Sequence, residues 1–263
     1  MDNHFLLQVI GIVAVAYSGH RLRSLTKTGA MATVIIGVAV AMGFEYRGLG
    51  LLGVFFVTSS LWSKFKRNQK SSVEEKVQKG EERDHIQVLA NGSVAAMASI
   101  LNVFFPSDIW LYVFVAAICS ANADTWASEI GSLSKQRPIL VSSFQRVDAG
   151  TSGAVSLLGT LAALGGSLLI AMVSYEFWNE ISFKSILLLT LVGFIGNLFD
   201  TIFGAVFQVS YICRVCGIET EKTVHCHEKT KYHKGIVFCN NDFINFLSIL
   251  LASILGALLF VYL

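Results

Sequence analysis

Several short strings of polar residues interrupt the apolar stretches of this chain, and each has a chemistry that its residue types can perform. The string Ala121-Asn122-Ala123-Asp124-Thr125-Trp126-Ala127-Ser128-Glu129-Ile130-Gly131 puts two carboxylates at the end of an apolar run. A carboxylate in such a place is costly and is a functional candidate by default. Five residues of helix turn Glu129 about 140° from Asp124, so the two flank one site only from an irregular or unwound helix end. A bland alternative is an Asp neutralised by a nearby Lys or Arg. In Gly193-Phe194-Ile195-Gly196-Asn197-Leu198-Phe199-Asp200-Thr201-Ile202-Phe203-Gly204, the spacing of three and four places the glycines, Asn197 and Asp200 on one helix face. Two acids at matched depth, Asp124 and Asp200, suit a divalent cation, and Mg²⁺ prefers carboxylate, amide and phosphate oxygens. Hydrogen bonding between helices is the competing reading.

Val147-Asp148-Ala149-Gly150-Thr151-Ser152-Gly153-Ala154-Val155-Ser156 offers small and hydroxylated residues. At a helix start these leave backbone N–H groups free and suit a phosphate, although an ordinary cap has the same composition. Arg83 sits at the mouth of another apolar run, followed by Asn91, where a guanidinium can grip phosphate oxygens bidentately. Asn241, Asp242 and Asn245 open the last run and add oxygens to the same side. Cys213-x2-Cys216-x8-His225-Cys226 has spacing suited to tetrahedral zinc, with His227 as an alternative to His225; a redox pair is the competing reading. Cys119 is expected to pack within a span, and Cys239 has no assigned role.

Long apolar segments must position these residues. The 263 residues are 54% apolar and 14% charged, with a mean hydropathy of +0.61, beyond what a soluble core requires. Spans are expected near 5–19, 29–44, 49–63, 86–105, 110–133, 151–174, 184–209 and 243–263. The expected fold is therefore an all-α polytopic transmembrane bundle of about eight spans, or seven if a short early run is re-entrant. It forms a single membrane domain over 1–263, with a charged loop at 64–85 and a small Cys/His-rich loop at 210–242. The start Met1-Asp2-Asn3-His4 lacks a basic n-region, so the first run is expected to stay as a helix.

On eight spans, the loops 20–28, 64–85, 134–150 and 210–242 share one side and hold 3, 7, 3 and 5 basic residues; Arg47 and Lys184 alone lie opposite. The positive-inside rule then puts these loops in the cytoplasm and both termini outside a cell membrane. Loop 64–85 is expected to be a solvated linker, Arg83 excepted. With net charge +2, topology accounts for the basic residues and nothing calls for nucleic acid as a partner.

The strings Ala123–Gly131, Gly150-Thr151-x-Gly153, Gly196-Asn197-x-x-Asp200-x-x-x-Gly204 and Asn241-Asp242-x-x-Asn245 resemble the transmembrane protein 19 family, also called domain-of-unknown-function family 92. This chain has Ala154 where that pattern carries a second glycine. The family includes a plant phytyl-phosphate kinase, so the resemblance implies nucleotide-dependent phosphorylation of a prenyl or polyprenyl monophosphate in the membrane. Combined with the residue chemistry, Asp124, Asp200 and either Glu129 or Asp242 would hold Mg²⁺. The Gly150–Ser156 segment (Gly150, Thr151, Gly153, Ser156) and Arg83 would hold phosphates, and the bundle would take the prenyl tail. Two other classes fit buried acids: a transporter or channel for an ion or lipid-linked substrate, and a CTP-dependent lipid nucleotidyltransferase.

Overall fold

In a computed structural model, residues 3–80 and 82–262 are described; Met1, Asp2, Glu81 and Leu263 lie outside them. The chain is mostly helical: α1 (Asn3–Arg21), α2 (Lys27–Lys64), a one-turn α3 (Ser71–Glu74), α4 (His85–Phe104), α5 (Asp108–Gly131), α6 (Leu157–Phe177), α7 (Phe183–Val206) and α8 (Asn241–Tyr262). Helix starts follow the polar residues in front of each apolar run. The Thr26 hydroxyl accepts the Gly29 N–H, Asp84 and Gln87 form a capping box, and Ser182 and Ser185 form another.

Among the described residues six helices are long and apolar enough to cross a membrane: α2, α4, α5, α6, α7 and α8. The difference from eight expected spans lies at the N-terminal end. The expected spans 29–44 and 49–63 form one helical run, α2, broken at Glu45, which has a left-handed φ of 49°. At 38 residues α2 would be about 57 Å long if straight. It is not straight, because Lys64 Nζ donates to Leu22 O at 2.7 Å, bringing its end back beside its beginning. The other expected span not counted is α1, which packs on α2 through Gly37, where an added Cβ would meet Ile12 at 2.7 Å.

Helix α5 forms the axis of the bundle. Its residues Leu111, Tyr112 and Phe114 through Ala123 are buried against α2, α4, α6, α7 and α8. Small residues permit this close packing, as expected in lipid. Gly193 and Gly196 of α7 lie against Cys119 and Ser120, and an added Cβ at either would clash. Cys119 is thus a packing residue. Large apolar side chains such as Met31, Ile35, Leu61, Leu187 and Leu191 face outward, which a hydrocarbon solvent favours.

The helix ends sort into two groups. Phe44 packs against Trp178, and the Tyr112 hydroxyl donates to Glu180 O, so the turns near residues 45, 106 and 180 gather at one end. The segments 22–26, 65–84, 132–156 and 207–240 gather at the other, which holds all the short strands. β1 (Ile139–Leu140) pairs with β2 (Ala154–Val155); β3 (Ser210–Ile212) lies between β4 (Glu219–Thr220) and β7 (Lys231–Lys234); β5 (Val224–His225) and β6 (Glu228–Lys229) form a hairpin.

Candidate functional site

At the strand-bearing end, the helix termini surround a polar cavity of about 370 Å³. Asp124 and Glu129 reach it from α5, Asn197 and Asp200 from α7, Asn241, Asp242 and Asn245 from α8, and Asn91 from α4. Arg83, Gly150, Thr151, Gly153 and Ser156 complete the set singled out in the sequence, and all of them line this one cavity.

Asp124 and Asp200 lie seven and six residues before the ends of α5 and α7, about 10 Å deep by helical rise. The two carboxyl groups are neighbours, close enough to interact directly. Asn197 Nδ2 donates to Asp124 Oδ1 at 3.1 Å, and Ser248 Oγ reaches Asp200 Oδ2 at 3.3 Å. With its amide nitrogen toward the acceptors, Asn245 donates to Asp200 Oδ2 at 2.9 Å and to Asn241 O at 3.0 Å. Among the described residues no Lys or Arg forms an ion pair with either acid, so the bland reading of a neutralised Asp does not hold for Asp124. Hydrogen bonding that merely joins helices is found two residues earlier, where fully buried Asn122 donates to Gly166 O at 2.7 Å.

Glu129 differs from the sequence expectation. The helix runs unbroken to Gly131, so the 140° rotation stands, and Glu129 turns toward α2. Its carboxylate accepts from Ser63 Oγ and from Lys70 Nζ, both at 2.6 Å. Asp242 is likewise engaged, by Lys79 Nζ, which also holds Asp84 at 2.9 Å. Burial opposes charge on Lys79, but its hydrogen bonds with Asp242 and Asp84 outweigh that and raise its pKa. The ammonium therefore stays protonated.

These lysines were not among the residues chosen from sequence, because nothing in the mixed charges of 64–85 separates them from solvent-facing neighbours. The expectation of a solvated linker is corrected: residues 66–80 form a strap across the cavity mouth, and Lys70 is only 5% exposed. The physical reason is a set of long-range partners that the local pattern does not contain. Arg83, at the strap's end, is held by its backbone, which exchanges hydrogen bonds with Ser24 O at 3.1 Å and Thr26 N at 3.0 Å. Its guanidinium lines the cavity without a hydrogen-bond partner among the described residues. Burial lowers its pKa while the nearby Glu129 charge raises it, and a guanidinium remains charged under both.

The 147–156 string also corrects an expectation. It does not open α6, which begins at Leu157 with Ser156 as its N-cap, the Ser156 hydroxyl accepting Gly159 N–H at 3.1 Å. Gly150 and Gly153 have φ of 81° and 77°, incompatible with a helix, and form a loop against the cavity. Ala154 is in β2, where no glycine conformation is needed. At Gly153 a side chain is excluded twice, since an added Cβ would also stand 2.3 Å from that of Ala205. Gly153→Ala is expected to lose at least about 1–2 kcal/mol from the backbone conformation alone, with more from the clash. Thermal unfolding in detergent checks this; a midpoint equal to the unsubstituted protein's would refute the close approach.

Outside the cavity, Cys213, Cys216, His225 and Cys226 bring their ligand atoms within 4.8 Å of one another, a cluster that can hold a metal ion. His225 Nδ1 lies 3.5 Å from Cys216 Sγ and 3.3 Å from Cys226 Sγ. His227 and the buried Cys239 are not in the cluster.

Comparison with known proteins fits this architecture. The chain is 29% identical to Protein PGR of Arabidopsis thaliana, over 94% of this chain and 93% of that protein. It is 30% identical to the Arabidopsis Protein VTE6, chloroplastic, over 98% and 70%, and 29% identical to an uncharacterized membrane protein of Methanocaldococcus jannaschii, over 97% and 93%. No solved structure matches. The family described as integral membrane protein DUF92 matches residues 10–253, and the chain belongs to that family.

Proposed function

We propose that the protein transfers the terminal phosphoryl group of a nucleoside triphosphate to a prenyl or polyprenyl monophosphate, at the cavity between α5, α7 and α8. The observation that carries this reading is the pairing of Asp124 with Asp200 below an uncommitted Arg83. Two carboxyl groups in contact need a cation or a shared proton, and among the described residues no basic side chain pairs with them. The surrounding donors, Asn197, Asn245 and Ser248, are all hard oxygen or amide groups, which fits Mg²⁺ and not a soft metal. Asp124 and Asp200 would hold the Mg²⁺, which would supply neutralising charge for phosphoryl transfer.

The protein's own residues perform the positioning. Arg83 grips phosphate oxygens; the backbone of the Gly150–Gly153 loop and the Ser156 cap, which line the same cavity, supply neutral donors. An oxygen of the prenyl monophosphate attacks the terminal phosphorus, the bond to the bridging oxygen breaks, and the nucleoside diphosphate leaves with the electron pair. No general base is required, because the acceptor is already largely ionised near neutral pH. Lys70 and Lys79 offset the charge of Glu129 and Asp242, which frame the site without joining the Asp124–Asp200 pair. The resemblance to a family that includes a plant phytyl-phosphate kinase supports a prenyl acceptor. Below Asp124, α5 is tightly buried from Phe114 to Ala123, which favours a one-sided enzyme site over a transport path. The test is conversion of prenyl monophosphates to diphosphates by purified protein with magnesium and a panel of nucleotides. Transfer of a nucleotidyl group instead, or no reaction with any nucleotide, would overturn the reading.

From the basic loops we infer that this end faces the cytoplasm at a cell membrane, with the turns at residues 45 and 180 outside. In intact cells an impermeant thiol reagent is expected to label Tyr46→Cys and Asn179→Cys and to leave Asn68→Cys and Lys229→Cys unlabelled. Labelling of the last two from outside would reverse the orientation.

A further inference from the structure

The Cys/His module is built where it has work to do beyond its own fold. Its strands are two to four residues long and bury only Ser210 and Thr220, too little for a core, and segments of this kind fold around a staple. Cys213-x2-Cys216 has the geometry of a metal knuckle: the Val215 N–H points at Cys213 Sγ at 3.4 Å, and Gly217 turns the chain with φ of 75°. The second ligand pair, His225 and Cys226, sits at the tip of the β5–β6 hairpin, where Cys226 takes a left-handed φ of 50°. A set of three thiolates and one imidazole within 4.8 Å of each other matches four-coordinate zinc, with no position left for a substrate.

Between the two ligand pairs the chain reaches the strap. Glu221 N–H donates to Lys76 O at 2.8 Å, and the Glu221 carboxylate accepts Gln78 N–H at 3.1 Å while Gln208 Nε2 holds its other oxygen at 2.6 Å. The Thr220 hydroxyl donates to the same Lys76 carbonyl at 2.7 Å, and Lys222 Nζ donates to Glu74 O at 2.9 Å. Each bond grips the strap by its backbone, so together they fix the path of the strap instead of one side chain. That path carries Lys70 to Glu129 and Lys79 to Asp242, across the cavity mouth.

We propose that Cys213, Cys216, His225 and Cys226 bind one Zn²⁺, and that this zinc module is the clamp that holds the 66–80 strap over the cavity. The inference does not depend on which reaction the cavity performs. Full-length protein purified in detergent without chelator is expected to contain one zinc per chain by elemental analysis, with all five cysteines free by mass spectrometry. In Cys213→Ser/Cys216→Ser the zinc should be lost and amide hydrogen exchange should rise at least tenfold at residues 74–80, while α5 and α7 keep their protection. Glu221→Ala separates the two halves of the proposal: zinc should stay and the same strap amides should still loosen. Absence of zinc, iron in its place, or a disulfide among these cysteines would overturn the metal site. Unchanged strap exchange in both variants would overturn the clamp.

Discussion

Asp124→Asn and Asp200→Asn are each expected to lower turnover by about 10³-fold or more while leaving folded protein, a loss of roughly 4 kcal/mol in transition-state stabilisation. Asparagine keeps the size of the side chain and some of the hydrogen bonding with Asn197 or Ser248, but it removes the charge that a metal requires. On the proposed reading the two neighbouring carboxyl groups share one ion, and groups that act as a unit do not fail additively. The double variant should therefore lie within about tenfold of either single. Asn122→Ala provides the structural contrast: it breaks a bond between α5 and α6 and should lower the unfolding temperature, with the folded fraction still active. Phosphoryl transfer to prenyl monophosphate, with magnesium held in excess, is the readout. Full activity in either folded Asp variant would dismiss the shared-metal site, and additive losses would assign the acids to separate tasks.

Arg83→Ala is expected to reduce kcat/KM for the nucleotide by about 10²–10³-fold, and Arg83→Lys to recover less than a tenth of the loss. The backbone of Arg83 is pinned by Ser24 and Thr26, so the guanidinium is aimed into the cavity before any ligand arrives. A bidentate fork on phosphate oxygens needs that planar group, which a lysine ammonium does not reproduce. If Arg83 served only to balance the nearby Glu129 charge, lysine would restore function, since either cation offsets it. Nucleotide binding to the folded protein, followed alongside turnover, should weaken in parallel in both variants. Full rescue by lysine would show that charge alone is at work.

The comparison of sequence with structure divides along the range of the interactions involved. Apolar runs are local, and they determined the long helices; the expected eight spans differ from the six membrane-length helices at α1 and around Glu45. The three- and four-residue spacing of Gly193, Gly196, Asn197, Asp200 and Gly204 was enough to define one face of α7, because helix geometry fixes that face without reference to any partner. Intramembrane cost singled out Asp124 and Asp200 in the same way. The Cys-x2-Cys knuckle was equally legible, its geometry being set within four residues.

Whatever rests on distant partners required the tertiary structure. Lys79 meets Asp242 from 163 residues away, and Lys70 meets Glu129 from 59 away, so the mixed charges of 64–85 looked like a solvated linker when they form a strap. Glu129 shares a helix with Asp124 but has different partners, a distinction made by where α2 ends. The start of α6 moved from 151 to 157 because left-handed glycines at 150 and 153 fit a loop pressed against Ala205, a contact no local pattern contains. The fold-back at Glu45 has the same origin: a glutamate is an ordinary helical residue, and only the packing of both halves of α2 in one bundle holds it at a positive φ. Hydropathy and periodicity are properties of a segment, whereas charge pairing and close approach depend on which segments meet.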